Sequence, residues 1–331
     1  MDIAVVGAGS WGTALAQILA EGGHDVRLWA RREQLARAIN DSHRNPDYLS
    51  DAVLSKRIFA TGDMADALAN AAAAVVVTPS KFVRATAQSM LGLVGYDVPI
   101  VLCMKGVEAD TGEVPAEVFR DELGPGKPLA VLSGPNHAEE VVRGVPAATV
   151  VASDDTEVSL FFQELFSSPT FRVYSSDDVL GVELCAAFKN VIAIAVGASY
   201  GLGFGDNTAA MLMTRGQAEM GRLIAAAGGN PMTCMGLAGT GDLIATCMSR
   251  HSRNRTFGEA LAAGETVEQY EARTHMVVEG AQACKTLATL SLRYDVELPI
   301  TDVVRSLVWE GADPRETAGL LALRSLKPEF Y

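Results

Sequence analysis

Apolar positions in the first half of the chain fall into short, β-rich runs separated by segments with helical spacing. The runs at 3–6, 26–29, 73–78, 100–104, 129–132 and 149–152 are the predicted strands, and a last apolar run lies near 171–174. Between the first two, Trp11, Ala14, Leu15, Ile18 and Leu19 follow i, i+3, i+4, i+7, i+8 spacing, and Gly22 and Gly23 supply the stop. Alternation of this kind predicts an α/β domain with a doubly wound, mostly parallel sheet. Beyond it the strand signals fade, and alanine- and leucine-rich segments dominate from 179 to 326. The second domain is therefore expected to be all-α. A polar cluster of Ser175, Ser176, Asp177 and Asp178 marks the boundary and can cap the helix that follows, which divides the chain into 1–177 and 178–331.

A length of 331 residues suits two such domains, and 49% hydrophobic with 20% charged residues is the composition of a packed globular protein. The most apolar helical stretch, at 179–201, is interrupted by Glu183, Lys189 and Asn190, so it reads as a buried helix and not as a stable membrane insertion. No secretory signal precedes the first strand, and the odd number of cysteines, five without CxxC spacing, fits a reduced cytoplasmic setting. A formal charge of −13 argues against nucleic acid and anionic membranes as partners, so an anionic substrate would need local basic residues. The histidines lack paired ligand spacing, which argues against a metal site, and only His137 and His251 are candidate neighbours of a substrate. Met211, Met213, Met220, Met232 and Met235 read as core filler.

Directly after the first strand stands Gly7-Ala8-Gly9-Ser10-Trp11-Gly12. Gly7 permits the tight turn, Gly9 lets backbone approach a pyrophosphate, and Gly12 lets the helix pack close to the strand. This is the dinucleotide-binding loop of a Rossmann-type domain. Where an NAD-selective site carries an acid after the second strand, this chain has Arg31 and Arg32, which suit a 2′-phosphate; NADPH is the expected cofactor, with NADH possible. The fourth and fifth predicted strands end in Cys103-Met104-Lys105-Gly106 and Ser133-Gly134-Pro135-Asn136-His137-Ala138, where loops of such sheets line the ligand crevice.

In the helical half, Lys189 sits between Phe188 and the apolar run 191–196, a costly place for an unpaired ammonium unless its stem reaches solvent. Further on come Gly239-Thr240-Gly241-Asp242 and then His251-Ser252-Arg253-Asn254-Arg255, ahead of a helix expected near Thr256. The second cluster reads either as a phosphate cradle at a helix start or as a solvated basic loop.

This ordered set of motifs resembles the NAD(P)-dependent glycerol-3-phosphate dehydrogenases of bacteria over nearly the whole chain. The resemblance implies reversible reduction of dihydroxyacetone phosphate to sn-glycerol 3-phosphate, which feeds glycerophospholipid synthesis, by a homodimer. It implies Lys189 as the catalytic acid/base, with Lys105 and Asp242 beside it. Gly134, Asn136, Ser252, Arg253 and Asn254 join these three around the substrate. Cofactor contacts implied are Gly7, Gly9, Ser10, Trp11, Gly12, Arg31 and Arg32, together with Lys105, Ala138, Arg253, Val277 and Glu279. Asn136 and His137 depart from the Ser-Phe pair of many family members. A second nearby cation would push the Lys189 pKa down from about 10.4 and make proton transfer feasible in both directions, while Asp242 would pair with a lysine and limit that shift. Two other readings are a related lysine-dependent Rossmann reductase, of the 6-phosphogluconate or β-hydroxyacid dehydrogenase type, and a non-catalytic dinucleotide-sensing module.

Overall fold

The computed structural model describes residues 1–250, 252–322 and 328–329, without the side chains of 319–322. The described chain divides into two compact units, one of residues 1–186 with 236–238, the other of 187–235 with 239–331.

The first unit is built on an eight-stranded sheet: β1 (Asp2–Val6), β2 (Asp25–Trp29), β3 (Ile58–Thr61), β4 (Ala73–Val76), β5 (Ile100–Leu102), β6 (Leu129–Ser133), β7 (Ala147–Ala152) and β8 (Phe171–Ser176). Their order is β3-β2-β1-β4-β5-β6-β7-β8, and every neighbouring pair is parallel except β6 with β7. β4, β5 and β6 are buried along their whole length, which is why they are continuous apolar runs and not alternating ones. β4 and β5 end two residues earlier than their apolar runs, so Val77, Thr78, Cys103 and Met104 belong to the loops that leave the sheet. β3 escaped the sequence reading: it is four residues long at the sheet edge, and Phe59 on its outer face is 52% exposed.

The order of strands reverses at β1, with β2 and β3 on one side and β4 onward on the other, and ligands of such sheets bind outside the carboxyl ends at that point. The helix Ser10–Glu21 starts from β1 and stops at Gly22. Its inner residues, including Leu15 and Leu19, join Ile3, Val5 and Leu28 in the core.

In the second unit the described residues contain no strand. The helix Val179–Gly201 has the length and apolarity of a membrane span, yet 94% of its most apolar stretch is buried inside the protein. Asp178 caps it, Oδ1 accepting from Gly181 N at 3.0 Å. A Cβ on Gly197 would collide with Arg255 O, and one on Gly258 with Ile194 O. Two bare glycines thus allow backbone contact between this helix and Arg253–Ala262.

Two helices that open with proline take their caps from a buried glutamate distant in sequence. Ala116 N, at the start of Pro115–Leu123, donates to Glu183 Oε1 at 3.0 Å. Ile300 N and Thr301 N, at the start of Pro299–Trp309, donate to the two carboxylate oxygens of Glu219 at 2.7 and 3.4 Å. Of the five methionines read as core filler, Met220 is fully buried. Met211, Met232 and Met235 are instead more than half exposed, because Met211 lies on the outer face of Asp206–Ala226 and the other two on an open 3₁₀ turn, Pro231–Met235.

Candidate active site

Val6 at the end of β1 leads directly into the glycine loop. Gly7 adopts φ +124°, and its amide donates to Trp29 O at 3.2 Å. A Cβ on Gly12 would collide with Gly7 O, so the helix can lie against the loop only because position 12 has no side chain. At Gly9 a Cβ would meet nothing within 4 Å. Gly9 is also the N-cap of Ser10–Glu21, no side chain caps its amides, and the first turn holds no acid. Open space above uncapped N–H groups is what a pyrophosphate requires, so the loop fits a dinucleotide.

Asn45 holds this loop in place. It is wholly buried, and its Nδ2 donates to Ala8 O at 3.0 Å and to Thr13 Oγ1 at 2.8 Å. Ser10 Oγ donates to Tyr48 O at 3.4 Å, and the Trp11 ring packs on Phe171 with centroids 6.3 Å apart. Beyond β2, Arg32 is ion-paired to Asp47 at 2.5 Å, whereas Arg31 lies beside the ring of Phe82.

Past the ends of the adjacent strands β5 and β6, Lys105 Nζ donates to Gly134 O at 3.3 Å, so two of the predicted substrate residues are in contact. The Asn136 side-chain amide is hydrogen-bonded to Thr149 Oγ1 of β7 at 2.9 Å, which directs it onto the sheet. His137 is the N-cap of the short helix Ala138–Val141, and its Nε2 is buried without a hydrogen-bond partner. Ala138 is buried at the first position of that helix.

In the second unit Lys189 Nζ donates to Asp242 Oδ1 and to Thr246 Oγ1, both at 2.7 Å. Thr246 Oγ1 lies 3.3 Å from the same carboxylate oxygen. Asp242 and Thr246 occupy one face of the helix Asp242–Met248, four residues apart, which lets both reach one ammonium. Lys189 is 7% exposed and Asp242 3%. The buried stem of Lys189 therefore ends on a carboxylate and not in water. Burial pushes the neighbouring Cys247 thiol up to about 12, so Cys247 keeps its proton and offers no thiolate.

A second network runs from the residue next to Lys189. Asn190 Oδ1 accepts from Asn254 Nδ2 at 2.9 Å, and Asn254 Oδ1 accepts from Gly280 N at 2.9 Å. Asn190 Nδ2 also reaches Glu279 Oε2 at 3.4 Å. Predicted substrate residue Asn254 and predicted cofactor residue Glu279 thus meet on Asn190. Val277 stands two residues before that helix, which begins at Glu279 after the N-cap Val278. The helix expected near Thr256 begins at Arg253, because Ser252 is its N-cap and accepts from Arg255 N at 3.3 Å. Arg253 is exposed in the first turn, while Arg255 is committed to Met248 O and Glu259. His251 lies outside the described residues.

Thr246, Asn190 and Asn45 were missed in the sequence. The first follows Asp242 at one helical turn and the second adjoins Lys189, spacings that could have flagged them. Among the described residues no group of three or more His, Cys, Asp or Glu side chains converges as a metal site would require.

Comparison with known proteins covers both units. Residues 2–159 match the family model for the N-terminus of NAD-dependent glycerol-3-phosphate dehydrogenase, and residues 178–319 match that for its C-terminus. A glycerol-3-phosphate dehydrogenase (NAD(P)+) of Thermobifida fusca is 45% identical, covering 99% of this chain and 98% of the relative. One from Mycobacterium tuberculosis is 44% identical over the same shares of the two chains. The crystal structure of glycerol-3-phosphate dehydrogenase from Coxiella burnetii superposes with a TM-score of 0.93 at 36% identity, covering 98% of this chain and 99% of that one. A ketopantoate reductase structure from Ralstonia eutropha, at TM-score 0.63 and 18% identity, shares the fold.

Proposed function

The chain belongs to the NAD-dependent glycerol-3-phosphate dehydrogenase family, and on that premise we propose that it reversibly reduces dihydroxyacetone phosphate to sn-glycerol 3-phosphate, with NADPH preferred. The observation that carries the reading is the buried Lys189–Asp242 ion pair with Thr246, a proton donor held at one position by two buried partners.

The chemistry follows from what the reaction needs. When bound, the reduced nicotinamide supplies a hydride to the central carbonyl carbon. The carbonyl oxygen then carries the charge of an alkoxide, and the Lys189 ammonium both stabilises that charge and gives up a proton to it. Asp242 and Thr246 fix the direction of the donor. In the reverse direction the neutral amine takes the proton from the hydroxyl. Ser252, Arg253 and Asn254 stand at a helix N-terminus, where a cation and backbone amides favour the substrate phosphate. Lys105 and Gly134 complete the substrate set, and the residues from Gly7 to Gly12 hold the cofactor. In this reading 1–177 is the dinucleotide domain and 178–331 the substrate domain.

A homodimer, a cytoplasmic location and a role in lipid precursor supply belong to the same reading. The cytoplasmic assignment draws support from five buried cysteines, all of them free thiols.

One assay tests the whole. Absorbance of NADPH and of NADH is followed with dihydroxyacetone phosphate as substrate. Oxidation of NADPH at the lower cofactor concentration is the expected result, and no oxidation of either cofactor would overturn the reading.

A further inference from the structure

We propose that the 2′-phosphate of NADPH is bound by Arg31 and Lys81, from loops on either side of the glycine loop, with Arg32 withdrawn from that task by Asp47. The proposal rests on the cofactor reading above and names residues for it, one of them, Lys81, unmarked by any sequence motif.

Strand order places β1 between β2 and β4. A pyrophosphate on the loop after β1 sends the adenosine ribose toward the end of β2, where the residue that distinguishes a 2′-hydroxyl from a 2′-phosphate is found. Arg31 lies there, two residues past β2, and Lys81 lies in the 3₁₀ turn Ser80–Phe82 of the connection that follows β4. The structure brings them together on one aromatic ring: Arg31 Cζ is 6.0 Å and Lys81 Nζ 5.0 Å from the centroid of Phe82. Both cations are exposed, and among the described residues neither has a carboxylate partner. Both cations reach the same ring, and a dianion bound beside it would gain a charge-assisted hydrogen bond from each. On a protein of net charge −13 such an uncompensated pair is a local reversal of sign.

Arg32 is placed differently. Its Nη2 lies 2.5 Å from Asp47 Oδ2, so its charge is already met, and a phosphate approaching it would also approach that carboxylate. The adjacent arginines that suggest a 2′-phosphate clamp in the sequence thus split in the fold, one beside the Phe82 ring that Lys81 also reaches, the other paired with Asp47.

The test uses two nucleotides that differ only in the group in question, adenosine 2′,5′-bisphosphate and adenosine 5′-monophosphate, titrated calorimetrically into the full chain. The bisphosphate is expected to bind the unaltered protein more tightly. Lys81→Ala and Arg31→Ala should each cut the ratio of the two affinities about tenfold, the size of one charge-assisted hydrogen bond, and Arg32→Ala by less than about threefold. Steady-state kcat/KM for NADPH against NADH should follow the same ranking. The assignment is overturned if Lys81→Ala preserves the affinity ratio, if Arg32→Ala alone abolishes it, or if the unaltered protein does not discriminate between the nucleotides. Absence of dihydroxyacetone phosphate turnover, with the affinity ratio and its response to Lys81→Ala intact, would remove the proposed reaction and leave this site standing.

Discussion

Lys189 Nζ stands 2.7 Å from Asp242 Oδ1, with the two side chains 8% and 4% exposed. A buried pair of this kind contributes little net stability, but loss of one partner leaves an uncompensated charge and costs about 3–5 kcal/mol. A second donor–acceptor contact, from Lys189 to Thr246, leaves the ammonium few directions in which to turn. In the proposed mechanism this arrangement directs a proton; as a structural fastening it would be a poor choice.

Lys189→Ala is expected to abolish turnover, a loss beyond roughly 10³-fold, while the glycine loop continues to bind nucleotide. Thr246→Val should lower kcat about tenfold, with Thr246→Ser restoring most of it, because only the hydroxyl touches the ammonium. Single-turnover kinetics together with calorimetric nucleotide binding would check both. Near-normal turnover without Lys189 would take it out of the chemistry.

Arg253→Ala should act on substrate binding. Its guanidinium is exposed in the first turn of Arg253–Ala262, where helix amides and a cation together favour a phosphate. Removal of one charge-assisted partner raises KM for dihydroxyacetone phosphate by roughly 10- to 100-fold, with a smaller effect on kcat. Initial rates across substrate concentration decide it, and an unchanged KM would move the phosphate elsewhere.

The sheet was largely legible in the sequence because a strand buried on both faces must be a continuous apolar run, as at 73–76 and 129–133. The edge strand β3 was not, since half of its surface faces water and a run of four residues leaves no period to read. Glycines and lysines of the site stood out because each is locally improbable: Gly7 with its φ of +124°, and Lys189 in the middle of an apolar helix. Their partners did not. Thr246 lies 57 residues from Lys189, Asn254 lies 64 from Asn190, and Asp47 lies 15 from Arg32; only the tertiary fold brings these pairs together.

Glu219 gives stability a pH dependence. Burial pushes its carboxyl up to about 7 against an ordinary value of 4.5, the amides of Ile300 and Thr301 opposing. Between those values the folded chain keeps the proton and the unfolded chain has released it. The contribution is therefore fully present below about 4.5 and is lost as pH rises to about 7, on the order of 3 kcal/mol. Glu183, pushed up to about 8 by burial, acts in the same sense over a wider window. In Glu219→Gln this titration is gone, so the stability of the variant minus that of the unaltered protein should rise with pH through the window and then level off. Denaturant unfolding at a series of pH values measures the difference, and a flat difference would mean that Glu219 does not change its protonation on unfolding.

Asn45 offers a test of how the cofactor loop is held. Its Nδ2 bridges Ala8 O within the loop and Thr13 Oγ1 one turn into the helix Ser10–Glu21, and it is wholly buried. Asn45→Ala leaves that carbonyl and hydroxyl without their partner, which costs about 2 kcal/mol of stability. The loop then loses the tie that keeps Gly9 and the uncapped amides in one conformation, so part of the binding energy is spent on ordering it. Affinity for adenosine 5′-monophosphate, for NADH and for NADPH should fall by one common factor of roughly 3 to 10, because the adenosine 5′-phosphate held by the loop is shared by all three. The 2′-phosphate preference should be preserved, which separates this residue from Arg31 and Lys81. Unaltered affinity in a destabilised variant would show that Asn45 supports the core alone, and a change confined to NADPH would place its effect at the adenosine end.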